Sequence, residues 1–185
     1  MGKKVLVILA EGFEEIEAVT PMDVLRRSGL EVIVAGLASR VVTGAHGIRI
    51  EADVLLDQYQ GQPDAVVLPG GMPGAKNLGE SKKVKELIQD LNRQKKLIGA
   101  ICASPAVVLT PTGVLSGKKA TCYPGFEAQF SKDIYFSLDR VVVDQNITTS
   151  RGPGTALEFS LRLVEQLADS EAVRSLKEGM LVKDL

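Results

Sequence analysis

Short, almost uninterrupted apolar runs alternate along this chain with segments whose apolar residues recur at helical spacing. The runs are residues 5–10, 31–36, 65–68 and 97–101, with further strand-like pieces at 119–121, 140–144 and 147–150. A strand that is apolar at successive positions has no face to offer water, so it belongs in a parallel sheet covered on both sides. The intervening segments supply the cover. Residues 14–28 read as a helix stopped by Gly29. Val84, Leu87, Ile88 and Leu91 form one apolar stripe, and Leu157, Leu161, Val164 and Leu167 form another on a helix expected over 154–168. Thr155 and Glu158 have capping-box spacing at its start, although Pro153 can set the start one or two residues earlier. Residues 41–50, with Gly44 and Gly47, read as an excursion of two short strands, and Val173 with Leu176 marks a terminal helix. The predicted class is α/β: a mostly parallel central sheet flanked by helices, in a single domain spanning residues 1–185.

In such sheets ligands bind beyond the carboxyl ends of the strands. Three unusual segments fall there and share one rim: Glu11 through Glu17, the Pro69-Gly70-Gly71 turn, and Cys102. Cys102 sits on the corner between the run 97–101 and a helix expected from Ala106 onward, among small residues that permit a tight bend. Pro105 suits the first turn of that helix. The layout resembles the strand–elbow–helix that holds up a nucleophile in α/β enzymes. A helix N-terminus beneath the sulfur is expected to favour thiolate. The alternative is a packed free cysteine, the reading preferred for Cys122.

Glu17 is the acid of interest. Pro21, four residues on, cannot donate to its carbonyl, so an irregular helix start is expected there. In an apolar pocket its carboxyl would hold its proton and serve as general acid and base. Glu14 and Glu15 read instead as a solvated acidic helix start, and for Glu17 the position along the chain leaves both readings open. Pro69-Gly70-Gly71 can bring backbone N–H groups to an oxyanion, or can be an ordinary Gly-rich turn; it lacks the spacing of a phosphate loop. A Cys-His-acid triad needs an imidazole, and the only histidine is His46, far upstream; Ala103 follows the cysteine. Whatever Cys102 does, it is expected to do with a carboxyl group.

Composition narrows the partners. A formal net charge of −1 offers no electrostatic reason to expect nucleic acid or a membrane surface. Two cysteines make no disulfide framework and, with one histidine, no closed zinc site, so neither metal nor cofactor is expected. The first apolar run is too short for a signal-peptide core or a membrane span, and the chain reads as cytoplasmic.

Four motifs in order, Glu14-Glu15-Ile16-Glu17, Leu68-Pro69-Gly70-Gly71, Ala100-Ile101-Cys102-Ala103-Ser104-Pro105 and the segment from Thr149 to Thr155, resemble the DJ-1/ThiJ/PfpI superfamily, specifically its DJ-1 branch. The likeness runs from about Lys4 to Val182. It implies a flavodoxin-like three-layer sandwich, a homodimer, and a pocket of Cys102 and Glu17 with backbone donors around Gly70, Gly71 and Ala103. Arg151 and Pro153 match a loop bordering that pocket, and His46 matches a loop that can approach the partner subunit's pocket. Two positions depart from related patterns. The PfpI-type peptidases carry a histidine where Ala103 stands, which argues against peptidase activity. Some DJ-1 members place a pocket histidine before a proline, and here Tyr123 precedes Pro124; a tyrosine is a poor base at neutral pH. The resemblance implies glyoxalase III-type conversion of methylglyoxal and related 2-oxoaldehydes to 2-hydroxy acids without glutathione. It proceeds through a Cys102 hemithioacetal, with Glu17 moving the proton. Protein deglycation, and redox-sensing or chaperone-like protection through Cys102 oxidation, are the alternative readings.

Overall fold

The computed structural model describes residues 2–183. Strand β1 (Lys4–Leu9) leads into α1 (Glu15–Arg27) and β2 (Glu31–Gly36). The excursion that follows is a hairpin of β3 (Val41–Thr43) and β4 (Arg49–Glu51), after which β5 (Val54–Leu55) returns to the sheet. Next come β6 (Ala65–Leu68), α2 (Gly74–Glu80), α3 (Lys82–Arg93) and β7 (Leu97–Ile101). A small parallel pair, β8 (Lys119–Ala120) and β9 (Tyr135–Phe136), precedes β10 (Val141–Asp144), β11 (Ile147–Ser150), α4 (Ala156–Leu167) and α5 (Ser170–Gly179).

Seven strands form the main sheet in the order β10-β11-β7-β6-β1-β2-β5, parallel except for the β10–β11 hairpin at one edge. β1, β6 and β7 are its buried middle, and every residue from Val5 to Leu9 and from Leu97 to Ile101 is buried. Helices α1 and α4 pack together over β2, β7 and β11, while α2 and α3 pack over β1 and β7 from the other side. The outcome is the flavodoxin-like three-layer arrangement the residue pattern and the resemblance point to. Chain order runs outward from β1 in one direction to β2 and in the other to β6, so the switch point of the sheet lies beside β1. The loops after β1, β6 and β7 meet there.

Several local expectations change. Helix α1 is continuous through Pro21 rather than irregular at Glu17, because Glu14 already caps it: Glu14 Oε2 accepts the Glu17 N–H at 2.7 Å. The helix expected after Cys102 is one wide π turn, Pro105–Leu109, continued by a 3₁₀ turn, Thr110–Thr112. Pro111 explains this, since it can give no N–H to the Val107 carbonyl and its ring crowds that carbonyl. Helix α2, built around Gly74 and Gly79, carries no apolar stripe and left no periodic signal. At α4 the capping-box pairing is not used. A 3₁₀ turn from Pro153 comes first, Thr155 Oγ1 bonds Ser150 Oγ at 2.7 Å, and Glu158 pairs with Arg140 at 2.8 Å.

Candidate active site at the cysteine corner

Cys102 occupies the left-handed region, with φ of 65°. For a residue with a Cβ this costs about 1–2 kcal/mol and persists only where neighbours hold it. Here Cys102 N–H donates to the Ser150 carbonyl at 2.9 Å, and its own carbonyl accepts from Tyr123 N–H at 2.8 Å. Ser104 Oγ donates to the Pro69 carbonyl at 2.5 Å, tying the corner to the loop after β6. The strand end thus continues its ladder with β11 while the chain turns, which leaves the sulfur under the Gly70-Gly71 loop.

Glu17 approaches from the first turn of α1. It is wholly buried, and its Oε2 accepts the Gly70 N–H at 2.9 Å. Its Oε1 is buried with no partner among the described residues. Gly70 must be glycine for reasons of space: a Cβ there would stand 2.6 Å from the Cys102 Cβ and 2.7 Å from Glu17 Oε2. Backbone N–H groups of Gly71 and Ala103 face the sulfur. The expectation for the glycine turn is therefore corrected. Gly70 N–H is engaged by Glu17, and the donors left at the sulfur are Gly71 and Ala103.

The electrostatics also differ from expectation. Burial raises the Glu17 carboxyl to about 7, against the pull of hydrogen bonds from Cys102 and Gly70 and with a further push from Glu14. Burial first, then the Glu17 charge and hydrogen bond, push the Cys102 thiol up to about 12, opposed by the Gly71 and Ala103 N–H groups. The corner is not a free thiolate acidified by a helix terminus. It is a carboxyl–thiol pair that titrates as a unit. When Glu17 takes the thiol proton, the charge that opposed the thiolate disappears while the two backbone donors remain.

The other candidates fall around this pair rather than in it. Tyr123 is 44% exposed and packs edge-on against Phe126, its amide tied to Cys102. Arg151 and Pro153 line a cavity with Tyr123. His46 does not complete a triad within the chain: its Nδ1 lies 2.8 Å from Glu15 Oε2 and its side chain is exposed. Cys122 is fully buried, its thiol pushed up to about 12 by burial and the Glu127 charge against the pull of Arg151.

Glu14 and Glu15 are not the solvated pair expected. Both are buried, because Glu14 caps α1 and Glu15 holds the β3–β4 turn through the His46 and Ile48 amides at 2.7 and 3.4 Å. Donor atoms of Glu14, Glu15 and His46 lie within 4.8 Å of one another, a grouping that ligand spacing along the chain does not reveal. The carbonyl of Ser150, which holds the cysteine turn, carries no sequence signal, since any residue supplies it.

A buried carboxyl against a cysteine on a left-handed corner, at the switch point of a parallel sheet, defines a cysteine–carboxylate protein of flavodoxin-like fold. The DJ-1/PfpI family profile matches residues 3–166, and the chain belongs to that family. The Parkinson disease protein 7 homolog of Danio rerio is 45% identical over 188 residues, covering 99% of both chains. The glutathione-independent glyoxalase DJR-1.2 of Caenorhabditis elegans is 39% identical over 94% of both. The crystal structure of Drosophila melanogaster DJ-1beta superposes with a TM-score of 0.95 at 44% identity over the whole of both chains. No described helix is long and apolar enough to cross a membrane.

Proposed function

We propose that the protein converts methylglyoxal and related 2-oxoaldehydes to 2-hydroxy acids without glutathione, in a reducing cytoplasmic setting. The observation that carries this is the Glu17 carboxyl, raised to about 7 and in hydrogen-bond contact with the Cys102 thiol. Similarity to the nematode glyoxalase supports it. Ionised Glu17 takes the thiol proton as sulfur attacks the aldehyde carbon, and returns it to the carbonyl oxygen to give a hemithioacetal. Gly71 and Ala103 N–H groups stabilise negative charge at the sulfur and the adjoining oxygen. Glu17 then removes the hydrogen from the former aldehyde carbon and delivers it to the neighbouring carbon, while the hydroxyl proton of the first carbon passes to the oxygen of the second, leaving a 2-hydroxy thioester. Water cleaves the thioester, releasing lactate and the thiol, with no net oxidation. Deglycation of early adducts uses the same nucleophile and ranks behind it.

The test is methylglyoxal consumption with lactate detection. Cys102→Ser is expected to abolish turnover, and full activity in that variant would falsify the covalent scheme. A second reading rests on the same N–H groups, which can equally hold the oxygens of an oxidised sulfur. Addition of two oxygens at Cys102 under mild peroxide, with negligible aldehyde turnover, would favour it.

We further propose a homodimer through the apolar side chains exposed near the start of α1 and the β3–β4 turn, Ile16, Val19 and Ile48. Glu15 binds the Ile48 amide, which brings these elements together. Light scattering should give about twice the 19.8 kDa chain mass, and Ile16→Glu should halve it.

A further inference from the structure

The start of α1 carries a buried acid that takes no part in the steps at the sulfur. Glu14 is the N-cap of the helix, and its Oε2 accepts the Glu17 N–H at 2.7 Å. Short side chains such as Ser, Thr, Asp and Asn usually hold that place, because they reach the N–H directly. A glutamate must fold back to do the same, and it brings a charge into a site with little access to water. Capping alone asks for neither.

Glu14 also ties the helix to the glycine turn. Its own N–H donates to the Gly70 carbonyl at 3.0 Å, while the N–H of that same Gly70 donates to Glu17 Oε2 at 2.9 Å. Gly71, whose N–H faces the sulfur, lies against the Glu14 backbone: a Cβ there would stand 2.4 Å from the Glu14 nitrogen. The charge of Glu14 acts unequally on the reacting pair. It pushes the Glu17 carboxyl to hold its proton, whereas the Cys102 thiol answers to burial, to Glu17 and to the Gly71 and Ala103 N–H groups. The groups facing the Glu17 carboxyl are Cys102 from the corner after β7, the Gly70 N–H from the loop after β6, and Glu14. From the loop after β11 only the uncharged Gly152 approaches, where a Cβ would stand 3.9 Å from Glu17 Oε1. Glu14 in turn faces Glu15 and His46, with donor atoms of all three within 4.8 Å, and the His46 ring is held by Glu15.

We propose that Glu14 is a positioning residue for the reacting pair: it holds Glu17 and the glycine turn in register, and its charge drives the shared proton from Cys102 onto Glu17. In that transfer the S–H bond breaks, its electron pair stays on sulfur, and an O–H bond forms on Glu17. Among pairs that have lost one proton, the share present as thiolate therefore rises, and the thiolate is the nucleophile. The proposal rests on the reading of Cys102 and Glu17 as the reacting pair, and it deepens that reading by naming the residue that sets which of the two holds the proton.

Alkylation of Cys102 by iodoacetamide from pH 5.5 to 8.5, read by mass spectrometry so that Cys122 is scored separately, tests this without any aldehyde. Glu14→Gln keeps an oxygen for the Glu17 N–H and removes the charge. At the acid end its rate should match wild type, because thiolate there depends on the thiol beside a protonated Glu17, on which Glu14 does not act. The variant should then level off at lower pH, on a plateau roughly threefold or more below wild type. Glu14→Asp keeps the charge on a shorter cap and should bring the plateau back to within about twofold. Glu14→Ser caps without charge, should follow Glu14→Gln, and stands in for it if that variant fails to fold. A rate lowered equally at every pH, a plateau that ignores the loss of charge, or equal losses in the Asp and Gln variants would overturn the proposal. So would loss of fold in both neutral variants with Glu14→Asp folded, since Glu14 would then serve the fold alone. Absence of methylglyoxal turnover in wild type, with these alkylation profiles as expected, would count against the aldehyde reaction and not against Glu14.

Discussion

Glu15 and Glu17 stand two residues apart on one helix, both at least 95% buried, and their carboxyls respond in opposite ways. Burial raises Glu17 to about 7. Glu15 feels burial as its largest single influence too, yet hydrogen bonds from the His46 ring and from backbone N–H groups outweigh it and leave the carboxyl lowered. The difference lies in the partners. Glu15 meets the His46 ring and several N–H groups, which favour its charge. Glu17 meets one N–H group and a thiol, and keeps one oxygen without any partner. Burial alone therefore does not make a proton carrier; burial with incomplete satisfaction does. The left-handed cysteine and the glycine against it ensure that the under-satisfied acid faces a nucleophile.

Substituting each acid in turn tests that contrast most severely. Glu17→Gln keeps the shape and is expected to lower methylglyoxal turnover roughly 10²–10⁴-fold. Its effect on stability has a definite sign. The folded protein holds the Glu17 proton between the ordinary value of 4.5 and about 7, so wild type loses stability across that window as pH rises. Glu17→Gln escapes this loss, and its stability relative to wild type should climb by about 3 kcal/mol between pH 4.5 and pH 8. Parallel denaturation curves for the two proteins across that range would contradict it.

Glu15→Gln should behave in the reverse sense. A lowered carboxyl stabilises the fold above its unfolded value and loses that contribution as pH falls through its folded one. The variant should be less stable at neutral pH by about 1–2 kcal/mol, the scale of a charge-assisted hydrogen bond, and the deficit should vanish on acidification. Urea titrations at pH 3 and pH 7 decide this.

The pair's titration should also appear in catalysis. The reactive form has lost one proton from the Cys102–Glu17 pair, so kcat/KM for methylglyoxal should rise with pH through about 7 and then level. A flat profile from pH 5.5 to 8.5 is the outcome that breaks this assignment. The smallest effect is expected for His46→Gln. Glu15 raises the exposed imidazole, so its contribution is complete below the ordinary 6.5 and fades as pH rises through the raised value. The melting temperature should drop by about a degree at pH 5.5, with a smaller drop at pH 8.5.

Much of the architecture was legible because burial on both faces forces continuous apolar runs, and β1, β2, β6 and β7 carry them. Helix α2 was not, since its two glycines and lack of an apolar stripe give no period to detect. The candidate site was legible in part: the corner singled out Cys102, composition singled out the glycine turn, and the missing histidine base pointed to a carboxyl group, while only the family resemblance paired Glu17 with the cysteine. Their roles were only partly legible. Assigning Gly70 N–H to an oxyanion was reasonable from sequence, but the folded chain brings Glu17 Oε2 to that donor first. Likewise nothing near Glu15 in sequence shows that His46 and Ile48, more than thirty residues away, will satisfy it.

The amino-acid order by itself determined the alternation of strands and helices, and with it the rim on which Cys102, Glu17 and Gly70 had to gather, because periodicity and turn chemistry are local properties. Which carboxyl holds a proton and which amide remains free for the sulfur were decided only by tertiary structure. Those outcomes depend on distances between segments remote along the chain, and proton affinity follows the sum of such contacts.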